Sequence, residues 1–171
     1  MHAQQIATAR PRWIFNARQR KRRYDRPMNA RPLLVPGFRF SGISCGIKDQ
    51  DSLDLGLVLA DHTCSAAAVF TQNLVQAAPV TISRMAIDCG QARALLINSG
   101  NANACTGEQG LSDAKASRNH LADHLGCDAE LIHVASTGVI GVPLPIEKLI
   151  QGIEPGIRAA EASQLAADRV W

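Results

Sequence analysis

Several features are missing from this sequence of 171 residues. No apolar run approaches the ~20 residues that a membrane-crossing helix needs. No apolar stretch of signal-peptide length follows the charges at the N-terminus. The expectation is a soluble protein that is not secreted and resides in the cytoplasm. The five cysteines, Cys45, Cys64, Cys89, Cys105 and Cys127, are odd in number, lie 16 to 25 residues apart and include no Cys-x-x-Cys pair. That spacing favours neither a disulfide framework nor a zinc ribbon, so reduced and mostly buried thiols are expected. There is no Gly-x-x-x-x-Gly-Lys phosphate loop, no Gly-x-Gly-x-x-Gly dinucleotide turn and no Gly-x-Ser-x-Gly nucleophile elbow. Length excludes a second full domain, because one domain of this size, burying roughly 70% of its unfolded surface, already accounts for the chain.

Charge is unevenly placed. Residues 1–31 hold nine basic side chains against the single acid Asp25, a net +8, whereas the other 140 hold nine basic and fourteen acidic side chains, a net −5. The pI of about 8.7 therefore describes one end of the chain and not a folded surface. That end carries Pro11 and Pro27 and has no apolar period, so a disordered basic tail is expected over 1–31, followed by one domain over 32–171. The tail reads as a dispensable extension upstream of a start at Met28. The alternatives are a nucleic-acid-binding arm, a juxtamembrane patch, or a mitochondrial transit peptide, although the segment contains no serine.

From Leu33 the pattern changes to short apolar segments broken by Gly, Asn and Pro. Leu53, Leu55, Leu57 and Leu59 alternate with Asp54, Gly56, Val58 and Ala60, the period of a strand with one buried face. Asp61-His62-Thr63-Cys64 reads as a hairpin break, with 66–70 as the antiparallel partner and His62 as a surface turn residue. The apolar runs at 94–97 and 131–135 read as strands covered on both faces. Ser112 is a suitable N-cap for a helix that stops at Gly126. Two further helices are expected at 145–152 and from about Ile157 to the last residue. Paired strands together with strand–helix alternation give an α+β (mixed α/β) class, a layered sheet–helix sandwich.

Two polar clusters follow the apolar strands. Asn98-Ser99-Gly100-Asn101-Ala102-Asn103-Ala104-Cys105-Thr106-Gly107 combines three amides and flexible glycines ahead of a helix N-terminus. This reads either as a ligand cradle or as a loop satisfying its own backbone. In Ser136-Thr137-Gly138-Val139-Ile140-Gly141, a threonine hydroxyl beside a glycine N–H can aim two donors at one point, as an oxyanion hole requires, although a simple turn is the commoner meaning. Ser136 lacks a neighbouring histidine to act as its base. His120 and His124 share a helix face beside Asp123, but Leu121 stands where a zinc protease carries Glu, so a solvated face and no metal site are expected.

These two clusters, with Pro36-Gly37-Phe38-Arg39, Gly42-Ile43, Gly46-Ile47-Lys48, Ala67-Ala68-Val69-Phe70-Thr71-Gln72-Asn73 and Ala77-Ala78-Pro79-Val80 upstream, resemble the ornithine acetyltransferase family, the bifunctional glutamate N-acetyltransferases of arginine biosynthesis. The resemblance runs from about Leu33 to the end. It implies a fold like the N-terminal-nucleophile-like aminopeptidases and an acetyl transfer from N-acetylornithine to glutamate through a threonine acyl-enzyme. Acetyl-CoA is a donor in some members, and no bound cofactor is expected. The family cuts itself before a threonine that then heads a β chain, and assembles as two α and two β chains. Thr137 and Gly138 match the family's oxyanion pair; Asn98, Ser99, Gly100, Asn101 and Asn103 match its other signature and are taken as pocket architecture. The nucleophile and the later substrate-binding residues match nothing in this chain, which is expected to be inactive alone. A non-catalytic fragment is the competing reading, with a nucleic-acid-binding module behind it.

Overall fold

Leucine alternation at 55, 57 and 59 sets the position of the sheet, because all three side chains are buried on one face. The computed structural model describes residues 34–48 and 52–170; the basic tail expected over 1–31 lies outside the described residues. Four strands, β1 (Phe38–Ile43), β2 (Leu55–Ser65), β3 (Gln91–Asn101) and β4 (Ile132–Val139), form one sheet in the order β1-β2-β3-β4. The first three are antiparallel neighbours, and β3 and β4 run parallel. A parallel pair needs a crossover connection, which here contains α2 (Gly107–Leu125).

Three helices, α1 (Ala78–Ala86), α2 and α3 (Ile146–Arg158), cover the leucine face. Each presents a narrow apolar stripe. In α3 the buried residues Leu149, Gly152, Ile153 and Gly156 follow the i, i+3, i+4, i+7 spacing of one helix face. They meet Leu55, Leu57, Leu59, Leu96, Ile132 and Val134 in a single core, where each fully buried leucine or isoleucine contributes about 1.5–3 kcal/mol. The opposite face is thinly covered: the short α4 (Gln164–Asp168) packs Ala166 and Ala167 on Phe40, with Phe38, Val58 and Val170 beside them. Farther across, Leu95, Ile97 and Ala135 are only half-buried.

The α+β class stands, but several elements differ from the sequence reading. The expected hairpin turn at 61–64 is absent; β2 continues through it, with a register shift between Leu59 and Cys64. The polar residues Asp61, His62 and Thr63 are exposed there and need no turn: the Asp61 N–H donates to Gly37 O at 2.8 Å and its carboxylate accepts from Arg39 Nε at 3.2 Å. Residues 66–70 form no strand, and β2 instead finds its second partner in β1. The 94–97 and 131–135 runs lie in strands, but only their inner face is fully buried, and β4 is the last strand of the sheet. Its edge is closed by α1, where Ser83 Oγ accepts from Val134 N–H at 2.9 Å and donates to Val134 O at 2.7 Å.

Helix boundaries moved for identifiable reasons. α2 starts after Thr106 and not at Ser112, because Gly107 and Gly110, poor helix formers, conceal its first turns; its end at Gly126 is as expected. α3 passes Gly152 and continues to Arg158. A Cβ at Gly152 would fall 2.6 Å from Cys45 Cβ, so this glycine marks close packing and not a stop. The last expected helix is broken because Glu161 pairs with Phe40 through two 2.9 Å backbone hydrogen bonds, and Ser163 then caps α4. The cysteines are free, but they are half-buried (Cys45, Cys64, Cys127) or exposed (Cys89, Cys105) and not mostly buried.

Ser83→Ala leaves two buried backbone groups of Val134 without their partner and is expected to cost about 1–3 kcal/mol in urea unfolding. Ser112→Ala, at an exposed mid-helix position, should change stability by less than about 0.5 kcal/mol. Equal losses would contradict the edge closure.

Candidate active site

The two polar clusters meet at the ends of β3 and β4. The parallel register sets Asn98 beside Ser136, Ser99 beside Thr137 and Gly100 beside Gly138. Strand alternation then divides them. Asn98 faces the core at 1% exposure, and Ser136 Oγ donates to Asn98 Oδ1 at 2.5 Å, so the Ser136 hydroxyl is engaged in structure. Ser99 and Thr137 point to the other face, where they line a groove of about 410 Å³ with Lys48, Asp54, Ile97 and Arg169. Thr137 and Gly138 are both exposed. Gly138 has φ +135°, and a Cβ there would fall 2.3 Å from Gly100 C and 2.5 Å from Asn101 N. Only glycine permits that backbone and that contact.

The asparagine amides face inward. Asn98 Nδ2 donates to Asn101 O at 2.8 Å. Asn101 Oδ1 accepts from Asn103 N–H at 2.8 Å, and its Nδ2 donates to Val142 O and Pro143 O at 3.1 Å. Asn103 Nδ2 donates to Gly110 O at 2.8 Å, and its Oδ1 accepts from Thr106 Oγ1 at 2.7 Å. All three are buried, and Asn103, with φ +45°, adopts the left-handed backbone that asparagine tolerates. Of the two meanings open for this loop, these amides follow the second: they satisfy the protein's own backbone. The N-terminus of α2 lines a separate cleft of about 220 Å³ with Gln76 and Thr81 and takes no part in the Thr137 groove.

Sequence patterning missed the residues that complete the groove. Asp54, read as an outward position of a strand, precedes β2 and is 2% exposed. Its carboxylate accepts from Cys45 N–H at 2.6 Å and Lys48 N–H at 2.9 Å, while its carbonyl accepts from Ser99 N–H at 2.9 Å. Burial pushes the Asp54 carboxyl up, but the N–H groups of Cys45, Lys48 and Ile47 outweigh it and hold the group below the ordinary carboxylate value. Lys48 is thereby fixed over β3: a Cβ on Gly100 would fall 2.8 Å from Lys48 Cγ, and Nζ donates to Leu53 O at 3.2 Å. Burial, with the hydrogen bond and charge of Asp54, pushes the Cys45 thiol up to about 12, which removes it as a nucleophile. A lone acid at the start of an apolar alternation was the available signal. His62 is exposed within β2, and neither His120 nor His124 lines the groove. Among the described residues there is no cluster of three or more metal-ligating side chains, and no helix is long and apolar enough to cross a membrane.

Because the folded Asp54 has a depressed pKa, its stabilisation is present above the unfolded carboxylate value near ~4 and is lost as pH falls through the lower folded value. Asp54→Asn should therefore lose stability at neutral pH and show a shallower decline than the parent below about pH 4, measured by urea unfolding across pH. Under native alkylation with mass-spectrometric readout, Cys89 and Cys105 should react first and Cys45 last.

Comparison with known proteins bears on the same residues. The chain is 49% identical over 129 residues to the arginine biosynthesis bifunctional protein ArgJ of Parasynechococcus marenigrum, covering 74% of this chain and 32% of that protein. It is 44% identical over 136 residues to the ArgJ of Geobacter sulfurreducens, covering 78% and 35% respectively. The chain thus spans about a third of the length of these curated relatives. Among solved structures it is similar to ArgJ of Bacillus halodurans, with 38% identity, a TM-score of 0.75, and 80% of this chain and 70% of that one covered. It is also similar to the ornithine acetyltransferase of Mycobacterium tuberculosis complexed with ornithine, with 38% identity, a TM-score of 0.76, and 79% and 73% covered. The α+β sheet–helix arrangement is the one these structures share. With the ArgJ family model matching residues 39–170, across both strand ends of the groove, the chain belongs to the ArgJ family.

Proposed function

We propose that this chain contributes the oxyanion-binding wall of an acetyltransferase that moves an acetyl group from N-acetylornithine to glutamate, with acetyl-CoA as a further donor where the assembled enzyme accepts it. The observation that carries this reading is the register of β3 and β4, which sets Ser99 and Thr137 side by side on the groove with the exposed Gly138 next to them. The relatives' names, which give arginine biosynthesis and ornithine acetyltransferase, supply the reaction class.

In this reading the nucleophile is a threonine heading a β chain, freed by self-cleavage, whose own amine takes up the hydroxyl proton. Attack on the acetyl carbonyl of N-acetylornithine forms a C–O bond and places negative charge on the carbonyl oxygen. The Thr137 hydroxyl and the Gly138 N–H donate to that oxyanion, stabilising charge that exists only in the transition state and intermediate. Collapse breaks the C–N bond, ornithine leaves with the proton, and the glutamate amine repeats the sequence on the acyl-enzyme. Asn98, Gly100, Asn101 and Asn103 hold the strand ends. Lys48 brings a positive charge to a groove meant for amino-acid carboxylates. The assembly is two α and two β chains in the cytoplasm.

The test supplies the chain with the remaining two thirds of the Parasynechococcus relative and follows acetyl transfer from labelled N-acetylornithine to glutamate. Transfer is expected, and Thr137→Val should lower kcat by about 10² to 10³ with KM nearly unchanged, whereas Thr137→Ser should keep most activity. Full turnover in Thr137→Val would remove this residue from the mechanism. No transfer with a correctly assembled complex would favour the non-catalytic fragment.

A further inference from the structure

Away from the groove, α2 carries a second group of chemically capable side chains. His120 and His124 lie one turn apart, and their Nε2 atoms are 3.2 Å from each other. The rings meet edge to face, with centroids 4.7 Å apart and planes at 72°. His124 is exposed and His120 half-exposed, so the gap between the nitrogens is open to solvent. The helix beneath is fixed by Leu121 and Ala122, which are buried in the core at 0% and 2% exposure. The backbone that spaces the two rings is therefore already ordered, and a ligand need not organise it.

The separation is informative. Metal–imidazole bonds are about 2.0–2.1 Å long, which puts two nitrogens on one tetrahedral ion ~3.3–3.4 Å apart and two adjacent nitrogens on an octahedral ion ~2.9 Å apart. The observed 3.2 Å lies between these bites. Without an ion, two neutral rings can share this distance only if one donates its N–H to the other's lone pair. With an ion, both lone pairs are used. We propose that His120 and His124 form a two-histidine chelate for a borderline divalent transition-metal ion such as zinc, nickel or copper. The absence of a catalytic glutamate at Leu121 argued against a zinc-protease centre, but it does not bear on a chelate of this kind. Two imidazoles and no carboxylate set select against magnesium and calcium, and copper should bind more tightly than nickel or zinc. The remaining coordination positions face solvent and are filled by water.

The experiment uses the full 171-residue chain carrying Cys89→Ser and Cys105→Ser, which removes the two exposed thiols as competing ligands. Zinc chloride and nickel chloride are titrated by calorimetry, and the imidazole Nε2 resonances are followed by NMR. One ion per chain is expected, with both Nε2 signals moving together. His120→Gln and His124→Gln, at solvent-facing positions with unchanged far-UV circular dichroism, should each weaken binding at least tenfold, and magnesium chloride should not bind. Equal affinity in the parent and in either variant would overturn the proposal. So would Nε2 signals that do not move while the ion binds, or no binding of either ion at millimolar concentration.

Discussion

The structure turns on one constraint: two parallel strands end together at the margin of the core, and on their inner face the chain beyond them must leave the ladder without stranding buried backbone groups. Each unpaired group there would cost about 1–3 kcal/mol. Asn98, Asn101 and Asn103 meet that demand: their amides bond the backbone at Asn101 O, Val142 O, Pro143 O and Asn103 N–H around the strand ends and tie them to Gly110 O in α2. Asparagine suits the role because one short side chain carries both donor and acceptor and its backbone tolerates a left-handed turn. With the inner face held in this way, alternation alone directs Ser99 and Thr137 to the outer face.

The surroundings follow from that arrangement. The close approach of Gly138 to Gly100 leaves no room for a side chain between the strand ends. Asp54 adds the third wall. Its buried carboxylate gathers the 45–48 loop while its carbonyl holds Ser99, so a single residue couples the position of Lys48 to that of β3. Ser83 does for the outer edge of β4 what the asparagines do for its end. In each place a polar side chain at the margin of an apolar core completes a backbone that the sheet leaves open.

This logic also explains what could be read from the sequence. The leucine alternation, the two apolar runs and the Gly126 stop are local signals, and they located β2, β3, β4 and the end of α2. Polar and small residues directly after apolar strands are ordinary turn chemistry, so Thr137, Gly138 and the Asn98–Asn103 cluster stood out through their match to the family's two signature segments. The hairpin at 61–64 was misplaced because a polar run looks the same whether the chain turns or merely bulges past the core. α1 was missed because Ala78-Pro79-Val80-Thr81 has little helical propensity, and its role depends on an edge contact 51 residues away. Asp54 and Lys48 were missed for the same reason: an acid at the start of an apolar alternation marks the position, but nothing local shows that its carboxylate will be wrapped by backbone N–H groups.

The central claim is that side-chain amides, and not a mobile loop, fix the ends of β3 and β4. Native-state hydrogen exchange measures this directly, amide by amide. The N–H groups of Ala102, Asn103 and Gly141, which donate to Val139 O, Asn101 Oδ1 and Ala104 O, should exchange as slowly as that of Leu96 in the middle of the sheet, and Asn101→Ala should release all three together. Exchange of these three amides at the rate of the exposed 71–75 segment in the parent protein would contradict the account.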